Sequence, residues 1–222
     1  MRMSELSERS GLPVASIKYY QREGLVPFGE HTSANQSQYD ETHVERLRLV
    51  RALIEVGGLS VASAKAVLGA MDRTELPLDT VFGIAQRAAS KSLPAVEDEP
   101  SARATQRITD LVSERGWRVG EYNPGRTIAA RVLETYEALG LTHILDTLPA
   151  YADAAEIVAS ADLAAVGDAA QREAMTETVV VGTVLGDALF AGLRRIAQEH
   201  ISHALYPVPN AAPDTDCENT ES

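Results

Sequence analysis

The chain has 222 residues, enough for one large domain or two small ones, and 45% hydrophobic with 23% charged residues is a globular composition. A net charge of -12 repels phosphate backbones at long range, so any nucleic-acid role has to rest on local geometry rather than bulk attraction. The single cysteine, Cys217, excludes an internal disulfide and a multi-thiolate metal site.

The charge is unevenly spread. Residues 1–72 carry 8 basic and 9 acidic side chains, whereas residues 73–222 carry 12 and 23. The first third is therefore electrostatically distinct. The opening MRMSELSERS is polar and lacks the apolar core of a signal peptide. The longest apolar stretch, near 179–193, contains Asp187 and is shorter than a bilayer span. A cytoplasmic protein with no membrane partner is expected.

Residues 4–10 read as a short helix broken by Gly11, and Val14 to Arg22 as a second, with Pro13 at its start and Gly24 after its end. Helix, glycine-containing turn and helix within about 20 residues form a helix-turn-helix pattern. Residues 26–39 are rich in Pro, Gly, Ser, Asn and Gln and read as a loop or weak hairpin. Asp40 fits an N-cap, and Val44, Leu47, Val50 and Ile54 then recur at helical spacing, with Arg51 and Glu55 as an i,i+4 pair on another face. Gly57-Gly58 ends that helix. Ser60 opens another, running to about Met71 through Ala64, Val67 and Leu68.

Further helices are expected over about 79–91, 101–115, 125–139 and 143–162, the last interrupted near Pro149. LPAVEDEPS, from residue 93, reads as a linker. Asp168 to about Leu205 holds no proline and reads as one helix of more than 30 residues. Its 179–193 portion is apolar nearly all round, which predicts burial on several sides, and Gly182 and Gly186 would let a neighbouring backbone come close. From Pro207 the composition turns to that of a disordered acidic tail. The fold class is all-α, apart from the hairpin near 26–39. The expected domains are 1–72, a short helix and linker over 73–100, a helical domain over 101–206, and the tail 207–222.

Ser16, Lys18, Tyr19 and Tyr20 place donors on the second helix of the helix-turn-helix. Phenols and ammonium groups bond phosphate oxygens and set register, while base edges set sequence preference. Core packing competes for one tyrosine of the pair.

Residues 2–72 resemble the DNA-binding head of the MerR family of bacterial transcription regulators. That family shows Arg-Tyr-Tyr-x-x-x-Gly-Leu, then a Gly-Tyr-Arg-x-Tyr wing, then an acidic entry into a Leu-rich helix. The corresponding residues run from Lys18-Tyr19-Tyr20 to Gly24-Leu25, then Tyr39-Asp40, then Val44 to Arg48, with the next helix beginning Gly58-Leu59-Ser60. The resemblance implies a winged helix-turn-helix bound to promoter DNA as a symmetric homodimer, with the second helix in the major groove and the wing on the flanking backbone. By position, Lys18, Tyr19 and Tyr20 become helix contacts. The family's wing arginine falls at Ser37, so that charge is missing, and His31, Asn35, Gln36, Gln38 and Tyr39 are left as wing contacts. Arg48 and Arg51 face either DNA or solvent. The family often twists and bends an overlong promoter spacer so that RNA polymerase engages, an indirect partnership.

The family's metal sensors use cysteine ligands, which this chain lacks near any dimer helix, so neither metal nor cofactor is expected. His200 and His203 share a helix face without supporting ligands and read as surface residues. A helical region of the length of 101–206 can hold an apolar cavity. Trp117, Tyr122, Tyr136, Tyr151 and Phe190 are the candidates to line one for a small organic effector, with simple core filling as the competing role. The prolines at 77, 94 and 100 leave only 79–91 as the helix after the head, a short basis for a coiled coil. The long last helix is therefore expected to supply the dimer contact through Val181, Gly182, Gly186 and Leu189. That arrangement loosely resembles the helical domains of TetR-type repressors. No phosphate loop or catalytic triad is present, so the chain is not expected to be an enzyme. The alternatives are an effector-independent dimeric repressor and a protein-interaction module that has lost DNA binding.

Overall fold

A computed structural model describes residues 1–33, 36–91, 98–167 and 171–206, the side chains of residues 31–33 and 36 excepted. In chain order the elements are α1 (Met3–Ser10), α2 (Val14–Arg22), β1 (Glu30–Ser33), β2 (Gln36–Gln38), α3 (Glu41–Arg51), a π-helical turn (Ala52–Val56), α4 (Val61–Met71) and α5 (Leu78–Ser90). After them come α6 (Ala102–Glu114), α7 (Pro124–Ala138), a 3-10 helix (Thr142–Thr147), α8 (Leu148–Gly167) and α9 (Arg172–Leu205). The fold is all-α apart from one antiparallel hairpin, β1–β2, paired Glu30 to Gln38 and His31 to Ser37 with an irregularity before Ser33. The expected interruption near Pro149 is the change from the 3-10 helix into α8. Pro149 sits in the first turn of α8, where its missing N–H costs nothing. The linker residues 92–97, the last-helix residues 168–170 and the tail from Pro207, with Cys217, lie outside the described residues.

Local signals account for the helix ends. The Asp40 carboxylate accepts from the His43 N–H at 3.3 Å, and the His43 ring lies 3.3 Å from the Asp40 N–H, a reciprocal cap at the start of α3. Ser60 accepts from the Ser63 N–H at 3.1 Å and Ser101 from the Ala104 N–H at 3.3 Å. Past the π-helical turn, Gly57 keeps right-handed backbone while Gly58 takes φ +67°, and the Leu59 N–H reaches back to the Leu53 carbonyl at 3.0 Å. The wide π turn also shifts the buried face. Leu53 is fully buried, and Ile54, which helical spacing points to the core, is only partly so.

The chain divides into two compact units, Met1–Gly186 and Asp187–Ser222. The first holds two apolar cores. The larger joins Leu6, Ile17, Leu25, Val44, Leu47, Leu53 and Val67 from the head with Val81 and Ala85 of α5, Val166 of α8, and Val179, Val180 and Val184 of α9. The smaller is built from Ala104, Ile108 and Val112 of α6, Ala130 and Leu133 of α7, and Leu145. The first turns of α9 thus complete the core of the head. Arg172 anchors that contact by donating to the Thr74 carbonyl at 2.7 Å and also to the Leu76 carbonyl.

Burial on several sides, expected for 179–193, is found only at the start of that stretch. Val179, Val180 and Val184 are buried, whereas Leu189 is 65% and Leu193 54% exposed. A Cβ on Gly182 would meet nothing within 4 Å, and one on Gly186 would meet only an Asp162 carboxylate oxygen at 3.9 Å. No backbone of the same chain, among the described residues, uses the glycine step. In the second unit the helix runs to Leu205 with every residue from Asp187 to Phe190 and from Leu193 onward exposed.

Candidate nucleic-acid interface

The α2 helix has two faces. Ile17, Tyr20 and Gln21 are buried, while Lys18, Tyr19 and Arg22 are exposed and Ser16 is half-buried. Lys18, Tyr19 and Arg22 recur at helical spacing, so their side chains leave the protein on one side. Pro13 stands at the N-cap, so no N-cap side chain accepts from the first-turn N–H groups at the positive end of the helix dipole. Lys65 of α4 brings its ammonium within 3.5 Å of where a Gly24 Cβ would sit, at the opposite, carbonyl end of α2.

The segment between α2 and the hairpin is held from beneath. The buried Gln21 amide donates to the Pro27 carbonyl at 3.1 Å. Arg46 on α3 donates its Nε to the Leu25 carbonyl at 2.9 Å and forks onto Asp72 at 2.8 and 2.6 Å. That fork ties α3, the end of α4 and the turn after α2 into one support. Gly29 starts the hairpin where a Cβ would stand 2.6 Å from the Gln38 carbonyl and 2.8 Å from the Tyr39 ring, so only glycine lets the strands close. At the same open end of the hairpin, the Tyr39 N–H donates to the Met1 carbonyl at 2.9 Å and the chain amino group donates back to the Tyr39 carbonyl.

Two of the expected contact tyrosines are taken by the core. Tyr20 is 8% and Tyr39 6% exposed. Tyr20 packs with its ring tilted against Tyr19 at 5.7 Å between centroids, and burial, followed by Glu55 and Tyr19, pushes its phenol above the ordinary value. Tyr39 stands edge-on to the His43 ring at 5.2 Å. Tyrosine at either position supplies apolar area that the small head needs, which outweighs its value as a donor. Gln38 is exposed on the wing. His31 and Gln36 lie in β1 and β2 with their side chains outside the described residues, as is Asn35 altogether. Arg51 makes the expected pair with Glu55 at 2.8 Å, and Arg48 donates to the Arg9 carbonyl at 3.2 Å, so both are engaged within the head. Arg22 was missed by sequence reasoning; its signal is the i,i+4 step from Lys18 on a face whose neighbours Ile17 and Tyr20 are buried.

The Asp40 carboxyl lies well below the usual carboxylate range. The Thr42 hydroxyl at 2.6 Å is the leading cause, followed by the His43 ring at 2.7 Å, because both favour the charged form.

The aromatic candidates for an effector site in the first unit divide between core and surface. Trp117 and Tyr136 are partly buried against the smaller core, with the Arg115 guanidinium 5.7 Å over the Trp117 ring. Tyr122 is 90% and Tyr151 47% exposed, and Phe190 belongs to the second unit. An open cleft of about 610 Å³ lies instead beside the head, lined by Gln21, Phe28, Arg46, Leu49, Asp72 and Glu177 among others. No group of three or more metal-ligating side chains occurs among the described residues, and no helix among them is long and apolar enough to cross a membrane.

Residues 1–70 match the family described as MerR HTH family regulatory protein. Over 74 residues the chain is 32% identical to a mercuric resistance operon regulatory protein of Bacillus cereus, covering 33% of this chain and 55% of that one. It is 33% identical over 75 residues to the nodulation protein NolA of Bradyrhizobium diazoefficiens, covering 34% and 32%. The chain thus spans about half the length of the first relative and a third of the second. A much longer likeness is to the crystal structure of SCO5550, a candidate transcriptional regulator of Streptomyces coelicolor A3(2). There the TM-score is 0.65 and the identity 32%, over 95% of this chain and all of the other. With the head matched by sequence and nearly the whole chain by structure, the protein belongs to the MerR family of helix-turn-helix transcriptional regulators.

Proposed function

We propose that this regulator binds promoter DNA as a homodimer, laying the exposed face of α2 in the major groove and the β1–β2 wing on the adjoining backbone. The observation that carries the reading is the sidedness of α2. Lys18, Tyr19 and Arg22 are exposed together while the rear of the helix is sealed in the core. With Ser16 and Gln38 they supply donors for phosphates and base edges on a head that is close to neutral, inside an otherwise acidic chain. Two heads related by a two-fold axis read half-sites about one turn, roughly 34 Å, apart. Bending or untwisting the DNA between them costs a few kcal/mol, roughly, which contacts on both half-sites offset, and would let the protein act on RNA polymerase without touching it. The dimer contact belongs to α9, in the region of Gly182, Gly186 and Leu189. The site of action is cytoplasmic.

The reading contains no effector step, because the five aromatic candidates are divided between core and surface. It contains no mercury either, despite the name of the Bacillus relative, because Cys217 is the chain's one thiol.

The test is selection of binding sites from random DNA, followed by a salt titration. A pseudo-palindromic site is expected. Lys18→Ala and Arg22→Ala should each lower the salt slope by about 1, while Tyr19→Phe should weaken binding without changing that slope. A purified, folded protein with no sequence preference at low salt would refute the reading.

A further inference from the structure

The cleft of about 610 Å³ beside the head falls within the size range of small-molecule sites, roughly 300–1,000 Å³. Its apolar lining comes from Leu25 and Val26, both buried, from Leu49 of α3 and Met71 of α4, both half-buried, and from Phe28, which is 66% exposed. Its charged lining is acidic. Arg46, the one basic side chain there among the described residues, is engaged by Asp72 at 2.8 and 2.6 Å, so that pair is neutral. Glu45 of α3 and Glu177 of α9 are exposed, and neither has a hydrogen-bond or ion-pair partner through its side chain among the described residues. Nothing inside the cleft neutralises these two carboxylates. The acids do not gather tightly either: among the described residues, no three metal-ligating side chains come close enough to hold a metal ion. Negative charge spread over a partly apolar lining suits a cation with an organic body better than a bare ion.

We propose that this cleft is an effector site for an organic ammonium compound, a protonated amine paired with Glu45 and Glu177 on a body that covers Phe28, Leu49 and Met71. The inference rests on the DNA-binding reading for what the effector controls. Charge selects the ligand class. Anions are repelled by the two carboxylates, and a neutral apolar compound would desolvate them without supplying a partner. An ammonium group pairs with them, its body removes apolar surface from water, and the Phe28 ring face attracts a cation. Position supplies the coupling. The turn from Gly24 to Phe28 forms one wall and leads from α2 toward β1, the two elements on which the proposed DNA contacts lie. Arg46 holds that turn at the Leu25 carbonyl at 2.9 Å and Gln21 holds it at the Pro27 carbonyl at 3.1 Å, and both side chains line the cleft. Glu177 belongs to the first turns of α9, which complete the core of the head. A ligand here therefore touches the root of the wing, α3 and α9 together. Lys18, Tyr19 and Arg22 are outside the lining, so ligand and DNA share no side chain, and each alters the affinity of the other through the common turn.

The test titrates the full chain with dansylcadaverine, a fluorescent primary ammonium, and with its N-acetyl derivative, the neutral analogue of the same body. Circular dichroism checks the fold of each variant. Dansylcadaverine is expected to bind about tenfold or more tightly than the acetyl compound. Glu45→Gln and Glu177→Gln are each expected to weaken it about fivefold and to leave the acetyl compound unaffected. Phe28→Ala is expected to weaken both compounds. Glu121→Gln, at an exposed carboxylate outside the lining, is expected to change neither. On a selected DNA site, saturating dansylcadaverine is expected to shift the dissociation constant about fivefold or more. The double variant Glu45→Gln, Glu177→Gln should lose that shift and keep the ligand-free DNA affinity. Equal binding of the two compounds, or binding indifferent to both glutamate substitutions, would overturn the proposal. So would a DNA affinity unmoved by dansylcadaverine bound through these carboxylates. The two readings fail separately. A protein that selects a palindromic site but does not distinguish the ammonium from its acetyl analogue would sink only the cleft. A glutamate-dependent ammonium site on a protein without DNA preference would sink the DNA-binding role and leave the ligand site standing.

Discussion

Gly57→Ala probes how the start of α9 is seated on the head. Gly57 has ordinary right-handed backbone, φ -76° and ψ -8°, so alanine is conformationally acceptable there. Taken alone, the substitution would stabilise by about 0.5 kcal/mol, by restricting the unfolded chain. In the folded protein the new Cβ would run into Cγ1 of Val184 and stand 2.8 Å from the Leu53 carbonyl. Neither neighbour yields easily: Val184 is 2% exposed, and the Leu53 carbonyl already accepts from the Leu59 N–H at 3.0 Å. Overpacking of this kind costs about 1–3 kcal/mol, so the net loss is expected near 2 kcal/mol. For a unit of this size that lowers Tm by roughly 4–8 °C. Urea unfolding followed by circular dichroism measures the change. Val184→Ala alone removes two buried carbons and should cost about 2 kcal/mol. In the double variant the clash with the methyl is gone, so the two losses should fall short of their sum by about 1 kcal/mol. A neutral or stabilising Gly57→Ala, or strictly additive losses, would mean that α9 does not sit against the end of the π-helical turn.

Gly29→Ala should destabilise the head by about 1–3 kcal/mol, because the Gln38 carbonyl and the Tyr39 ring occupy the space a Cβ needs, and thermal unfolding reads it. Arg46→Ala should cost about 2 kcal/mol by urea unfolding, since it frees the Leu25 carbonyl as well as Asp72. Asp72→Asn, at a 59% exposed carboxylate, should cost less than about 1 kcal/mol, and equal losses would contradict the assigned roles. Because the folded-state pKa of Asp40 is depressed, its contribution to stability is present above the unfolded carboxyl range near pH 4 and is lost as pH falls further. Asp40→Asn should therefore flatten the acid limb of a stability–pH curve below that pH, and an unchanged limb would refute the cap. Tyr20→Phe should keep DNA affinity within about twofold, in contrast to Tyr19→Phe, because Tyr20 is held by packing.

Much of this protein is written locally. The caps at Asp40, Ser60 and Ser101, the left-handed Gly58, and Pro149 in a first helical turn are signals a few residues long, and each acts on the backbone beside it. For that reason the helices, the hairpin and the Arg51–Glu55 pair could be placed without a structure. The Lys-Tyr-Tyr segment was legible for the same reason, as a spacing on a single helix.

What needed the tertiary structure is the assignment of faces. The sequence names a pair of tyrosines; only the packing of α2 decides that Tyr20 goes inward, Tyr19 outward, and that Arg22 joins the exposed side. Apolarity all round 179–193 predicts burial but cannot say against what. The structure divides that stretch, with Val179, Val180 and Val184 entering the core of the head and Leu189 and Leu193 left outside. The contact between Gly57 and Val184 joins residues more than a hundred positions apart, and no local rule links them. Periodicity records how much of a helix must be covered. Which surface covers it is settled by long-range packing, where side chains distant in sequence compete for the same volume.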